Sequence, residues 1–369
     1  MIAGSLAACT VKTSILRGGR REGVEVVEVD NGRLRLTLLP QRGMGIWKAW
    51  LDGVEFGWTS PVQGPVHPTF VPIGDASGLG WLEGFDELLC RCGLQSNGAP
   101  DFDDKGRVLY PLHGRIANLP AEAIQSRWDE HAGTLNVTGD VHEVRFHHQH
   151  LRLRSTLTVR PGEAGFAIHD EVTNLSGWPA TLQLLYHYNI GPPLLGRGAC
   201  IMAPVMELCP RNDRAAAGID HWDTFGAPAQ ATEQVYFATL HARPDGGTLA
   251  LLKSADGALG TSVHWNRSQL PYFVLWKNTN TLHDGYVTGI EPGTNFPNPH
   301  RFEADCGRTV PLAPGDSRSF DLGFKFHVGA DSVGAAVSEI EALRAPQKAP
   351  VIHRRPQTGR WATGDSPQA

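Results

Sequence analysis

The amino-acid sequence predicts an all-β protein, an antiparallel β-sandwich or barrel with few short helices. Three observations lead there. Alternating or wholly apolar runs recur between residues 24 and 328, as strands with one or both faces buried require. The 42 glycines and 26 prolines punctuate those runs at turn positions. No repeated helical segment separates them, which argues against a βαβ fold.

In chain order, residues 24–29 and 34–39 flank Asp30-Asn31-Gly32, a triplet that tolerates positive φ, and predict a hairpin. Further strand runs lie at 151–159, 165–172, 181–190, 248–253, 272–276 and 319–326. One helix stands out: residues 331–343 carry Val333, Val337, Ile340 and Leu343 at helical spacing. After it, Pro, Gly, Arg and polar residues predict a flexible tail over 345–369, with Arg354, Arg355 and Arg360 in solvent. The expected division is an N-terminal segment 1–23, a single sandwich domain 24–344, and that tail.

Of the 369 residues, 41% are hydrophobic and 19% charged, the balance of a folded globular chain. A net charge of −5 without a long basic block argues against nucleic acid or an anionic membrane as partner. No run approaches the ~20 apolar residues of a membrane span. Leu6-Ala7-Ala8-Cys9 resembles a lipoprotein box, but no Lys or Arg precedes it, so no lipidation is expected. The six cysteines are too few to staple a chain of this length and include no C-x-x-C, so reduced thiols in a cytoplasmic protein are expected.

Three segments carry the candidate chemistry. In residues 181–190, alternation sets Leu182, Leu184, Tyr186, Tyr188 and Ile190 on one face and Gln183, His187 and Asn189 on the other. A strand packed on one side and bearing His, Asn and Gln on the other suits a wet, sugar-sized concavity. Leu112-His113-Gly114-Arg115 follows a Pro-, Gly- and Asp-rich stretch, which puts His113 in a loop. In residues 286–295, Gly289 and Glu291 share a strand face, so no bulky neighbour crowds the carboxylate from two residues before it.

Together these segments resemble the aldose 1-epimerase (galactose mutarotase-like) superfamily over roughly residues 24–328. The matching positions are Leu112-His113-Gly114, His187-Tyr188-Asn189 and Gly289-Ile290-Glu291, in the family's order. The closer likeness is to a divergent bacterial aldose 1-epimerase-like branch, with Trp81-Leu82, Cys92-Gly93-Leu94, His113-Gly114-Arg115, the run from Leu185 to Gly191, and Glu291-Pro292-Gly293-Thr294-Asn295. The resemblance implies a large antiparallel β-sandwich with a sugar in its cleft, Glu291 as base, His187 as acid and His113 on the ring oxygen or a neighbouring hydroxyl. It implies no metal and no organic cofactor. Two departures stand out. The Asn-Arg-Ile segment that supplies a sugar-binding arginine is absent, leaving Arg42 and Arg115 as nearest substitutes, and Glu-x-Gln is replaced by Glu291-Pro292-Gly293. Asn189 and Trp276 complete the expected substrate contacts.

Other features of the sequence compete with this reading. His148 and His150 share a strand face on alternation, but Arg152 and Arg154 continue that face and would repel a cation, so no metal is expected. Trp47, Trp50, Trp58, Trp81, Trp265 and Trp276 are mostly core by expectation, with one or two free to stack on a sugar. Asp220 and Asp223 are alternative hydroxyl contacts. The expected partner is a small-molecule sugar, and a homodimer remains open. The leading expectation is a mutarotase; its rivals are another sugar epimerase or isomerase on this scaffold and a non-catalytic sugar-binding sensor.

Overall fold

Strand alternation is satisfied by two large sheets laid face to face in a computed structural model that describes residues 9–363. The larger sheet runs Thr10–Ile15, Glu25–Asp30, Leu34–Leu39, Gly45–Leu51, Leu89–Leu94, Ala180–Ile190, Val287–Gly293, Tyr272–Asn278, Gln234–Leu240, Val205–Pro210 and Val351–Ile352 in spatial order. The other follows Cys200–Met202, Gly247–Lys253, Leu259–Asn266, Ser317–Val328, Gly165–Asn174, Gln149–Val159, Thr134–Arg145 and Ala121–Asp129. Pairing is antiparallel throughout both, except for the short Val351–Ile352 strand. Of the sandwich and the barrel that the strand pattern allows, the chain forms the sandwich, the galactose mutarotase-like architecture that the resemblance implies.

The core lies between the sheets. Leu182, Leu184, Tyr186, Tyr188 and Ile190 enter it from Ala180–Ile190, the longest strand of the larger sheet, and Leu153, Leu157, Ile168, Phe324 and Phe326 meet them from the opposite sheet. One ion pair crosses this core. Arg91 Nη2 donates to Asp170 Oδ1 at 2.9 Å and to Ser155 Oγ at 2.8 Å, and Tyr186 Oη donates to Asp170 Oδ2 at 2.8 Å. Both charges are fully buried. Every polar atom of the carboxylate is occupied, the condition under which a buried pair is tolerated.

The predicted helix is Ala330–Arg344, and it packs Ala336 and Ile340 on Leu249 and Leu251 of the eight-stranded sheet. Both chain ends depart from expectation. β-structure starts before residue 24, since Thr10–Ile15 pairs along its whole length with Glu25–Asp30. Residues 345–363 do not form a loose tail: Val351–Ile352 adds a parallel strand beside Glu207 and Leu208, and Trp361 is buried against Phe296 at 5.0 Å. Arg354 pairs with Asp220. An aromatic anchor therefore overrides the polar composition. Of the 6–9 box only Cys9 falls within the described residues; the rest lies outside them. Among the described residues no helix is long and apolar enough to cross a membrane.

Candidate active site

The face of the larger sheet that points away from the core carries the candidate chemistry, and strand register fixes which side chains meet. Leu185 pairs with Gly293 and Tyr188 with Ile290, which brings His187 opposite Glu291. His187 is flanked on its other side by Cys90, and Glu291 by Val274. The next row across the sheet is Asn189, Gly289, Trp276 and Val235. Arg211 closes it, its backbone N–H donating to Val235 O at 3.0 Å. Trp81 and Phe85, from the segment Gly80–Gly84 and its end, cover this face. So a polar pair sits on an apolar floor beneath an aromatic roof.

His187 Nε2 and Glu291 Oε1 are 3.2 Å apart, and both side chains are at most 5% exposed. Glu291 Oε1 has no hydrogen-bonding partner among the described residues. Burial, with the charge of Glu233 adding to it, pushes the Glu291 carboxyl well above its usual range. Burial and the neighbouring His113 push His187 well below its own. Gly289 makes room for the pair, because a β-carbon there would collide with Glu291 Oε1 and lie 3.1 Å from His187 Cε1.

His113 reaches the same place from its loop. It adopts a left-handed φ of 56°, and its Nδ1 donates to Asn97 O at 2.9 Å, which leaves Nε2 as an acceptor in the neutral ring. The ring lies 5.3 Å from that of His187, edge to face, and 4.5 Å from Trp81. Burial lowers its pKa to about 4. Trp276 stands 5.4 Å from the His187 ring and donates Nε1–H to Glu233 Oε2 at 2.7 Å. Glu233 also accepts from Arg211 Nη2 at 2.6 Å. The structure thus brings His113, His187, Glu291, Asn189 and Trp276 together.

Two expected sugar contacts lie elsewhere. Arg42 is buried and surrounded by acceptors: Glu87 Oε1 at 2.6 Å from Nη2, Asn118 Oδ1 at 2.5 Å from Nη1 and Gly84 O at 2.7 Å from Nη2. It supports the loop behind the site. Arg115 is exposed, and its charge acts on Glu143 rather than on the pair. Asn189 is fully buried, and its carboxamide is occupied by His187 and by two carbonyls. Asp220 is exposed on Arg354, so it is not a cleft residue. His148 falls in the turn before Gln149–Val159, and the ring that meets His150 Nε2 is His142, Nδ1 at 2.9 Å.

Four residues of the site were missed or left unassigned by reading the sequence. Glu233, Arg211 and Phe85 sit in stretches without any local signal, and Trp81 was one tryptophan among several. Trp58, Trp81 and Trp276 all gather in the site's apolar cluster, while Trp265 belongs to the core. Two clefts of about 430 and 680 Å³ open on the outer face of the eight-stranded sheet, around His264, and touch none of these residues.

Comparison with known proteins agrees with this architecture. The model of the DUF4432 family, a domain of unknown function, matches residues 21–326. A candidate aldose 1-epimerase from Klebsiella pneumoniae is 34% identical over 95% of this chain and 91% of its own, with a TM-score of 0.91. A galactose mutarotase-like protein from Clostridium acetobutylicum shares the fold at 14% identity, covering 87% of this chain and 99% of its own, with a TM-score of 0.60. The galactose 1-epimerase of Lactobacillus acidophilus does so at 12% identity and a TM-score of 0.53, covering 87% of this chain and 99% of that one. Comparison with curated proteins finds no match. The chain belongs to the DUF4432 family, within the aldose 1-epimerase (galactose mutarotase-like) superfamily.

Proposed function

We propose that the protein is an aldose 1-epimerase that interconverts the anomers of a free sugar. The observation that carries this reading is the His187–Glu291 pair, 3.2 Å apart, buried and joined by His113. Opening a cyclic hemiacetal requires removal of the anomeric hydroxyl proton and delivery of a proton to the ring oxygen as the C1–O5 bond breaks. One group of the pair takes the first proton and the other supplies the second. Rotation about C1–C2 and reclosure on the other face, with the protons returned, complete the cycle. His113 Nε2 accepts from a neighbouring hydroxyl, and Trp81 and Trp276 offer aromatic faces to the C–H side of the ring. General acid–base help contributes ~10²–10⁴-fold per group, enough for a reaction already facile in water. Only protons move, so the step calls for no metal or organic cofactor.

The test is anomer-resolved NMR on a panel of freshly dissolved aldoses. Acceleration of at least one sugar, lost in His187→Asn, is expected. Calorimetric binding of a sugar with no acceleration would replace the enzyme by a sensor.

A further inference from the structure

His187 Nδ1 lies 2.5 Å from Asn189 Oδ1. The orientation of that carboxamide is settled by its other end. Asn189 Nδ2 donates to Glu87 O and to His187 O, both at 3.0 Å. Turned over, the amide would set its oxygen against two carbonyl oxygens, so Oδ1 must face the ring. The Glu87 carbonyl is itself held by Trp58 Nε1 at 3.0 Å, and the Glu87 carboxylate by Arg42. A chain of fixed groups therefore ends on one ring nitrogen.

We infer that Asn189 is a positioning residue that holds His187 as its Nδ1–H tautomer, so that Nε2 begins the reaction as the base and Glu291 as the acid. The tautomer follows from geometry alone; the roles rest on the mutarotase reading. With the hydrogen on Nδ1, a neutral ring keeps its lone pair on Nε2, 3.2 Å from Glu291 Oε1. A carboxylate oxygen 3.2 Å from that lone pair repels it, so the two groups together carry one proton, held by one of them rather than shared in a hydrogen bond. Separated charges are costly on a floor of Val274 and Leu185 under Trp81 and Phe85, and the uncharged arrangement has that proton on Glu291. The other groups near the pair are His113 from its loop, Cys90 and Cys92 from Leu89–Leu94, Glu87 behind Asn189, and Glu233 with Arg211 at the rim. This starting state reverses the acid and base assigned by resemblance. It also converts Asn189 from a substrate contact into the residue that aims the histidine.

Long-range ¹H–¹⁵N correlation on histidine-labelled protein at pH 7 tests this, with the His187 signals identified by their loss in His187→Gln. The expected spectrum has a protonated Nδ1 and an unprotonated Nε2. In Asn189→Leu the ring loses its acceptor, an Nε2–H population should emerge, and kcat should fall by about 10–100-fold with little change in KM. An Nε2–H tautomer or an imidazolium in the parent would overturn the inference, as would an Asn189→Leu ring that stays wholly Nδ1–H. The parent spectrum decides even where the variant does not fold. A protein with the expected tautomer that accelerates no sugar loses the mutarotase reading and keeps the tautomer.

Discussion

Gly289 and Glu291 project from the same face of one strand, and a β-carbon on the first would occupy the space of the second's Oε1. Gly289→Ala should therefore turn the carboxylate away from His187 while the strand stays paired. The expected result is a loss of most anomerisation with a stability cost of about 1–3 kcal/mol, the range for overpacking a close-fitted site. Urea denaturation and NMR anomerisation rates on the same variant check it. Parent-like rates would show that the carboxylate position is unimportant.

Glu291→Gln keeps shape and much of the hydrogen bonding but cannot exchange a proton. Sugar affinity by calorimetry should change little, and the anomerisation rate should fall by ~10²-fold or more, as expected when a general acid or base is lost. A variant as fast as the parent removes Glu291 from the chemistry.

His113 makes stability depend on pH in a defined sense. Its pKa is lowered from 6.5 to about 4, so between those values the unfolded chain binds more protons than the folded one. Its contribution therefore favours folding above pH 6.5 and is lost as pH falls toward 4. Asp86, raised to about 7 by burial, acts oppositely over its own range, so the informative quantity is a difference. The loss of urea stability from pH 7.5 to 5 should be smaller in His113→Asn than in the parent. An equal loss in both would show that His113 titrates normally.

Trp361 anchors the C-terminal segment on Phe296, and its carbonyl accepts from Asn298 Nδ2 at 3.0 Å. Trp361→Ala should expose residues 345–360 to protease under conditions the parent resists. If the parent is cut there equally fast, the segment is not held by this contact.

Period-two alternation is a local property, and it sufficed for the strands named from it, although Gly45–Leu51, Leu89–Leu94, Thr134–Arg145 and Leu259–Asn266 were not among them. It also sufficed for the face shared by His187 and Asn189 and for the empty side of Gly289, because a pleated strand leaves a side chain only two directions. The candidates His187 and Glu291 were legible for the same reason, and His113 from its loop setting, all three helped by likeness to a known family. Arg42 shows where such reading stops. An arginine near a predicted site suggests a ligand contact, yet this one is enclosed by Glu87, Asn118 and Gly84 from distant parts of the chain.

By itself the sequence determined the all-β class, the strand faces and the candidate acid and base. Only the tertiary structure decided that Glu291 lies across from His187, that Glu233 and Arg211 stand at the rim, and that Asn189 is occupied by the histidine and by neighbouring carbonyls. It also decided that the polar C-terminal stretch is pinned by one tryptophan. The physical reason is the range of the interactions: pleating is set by adjacent residues, whereas strand register, loop packing and the burial that shifts a proton arise between segments far apart in the chain.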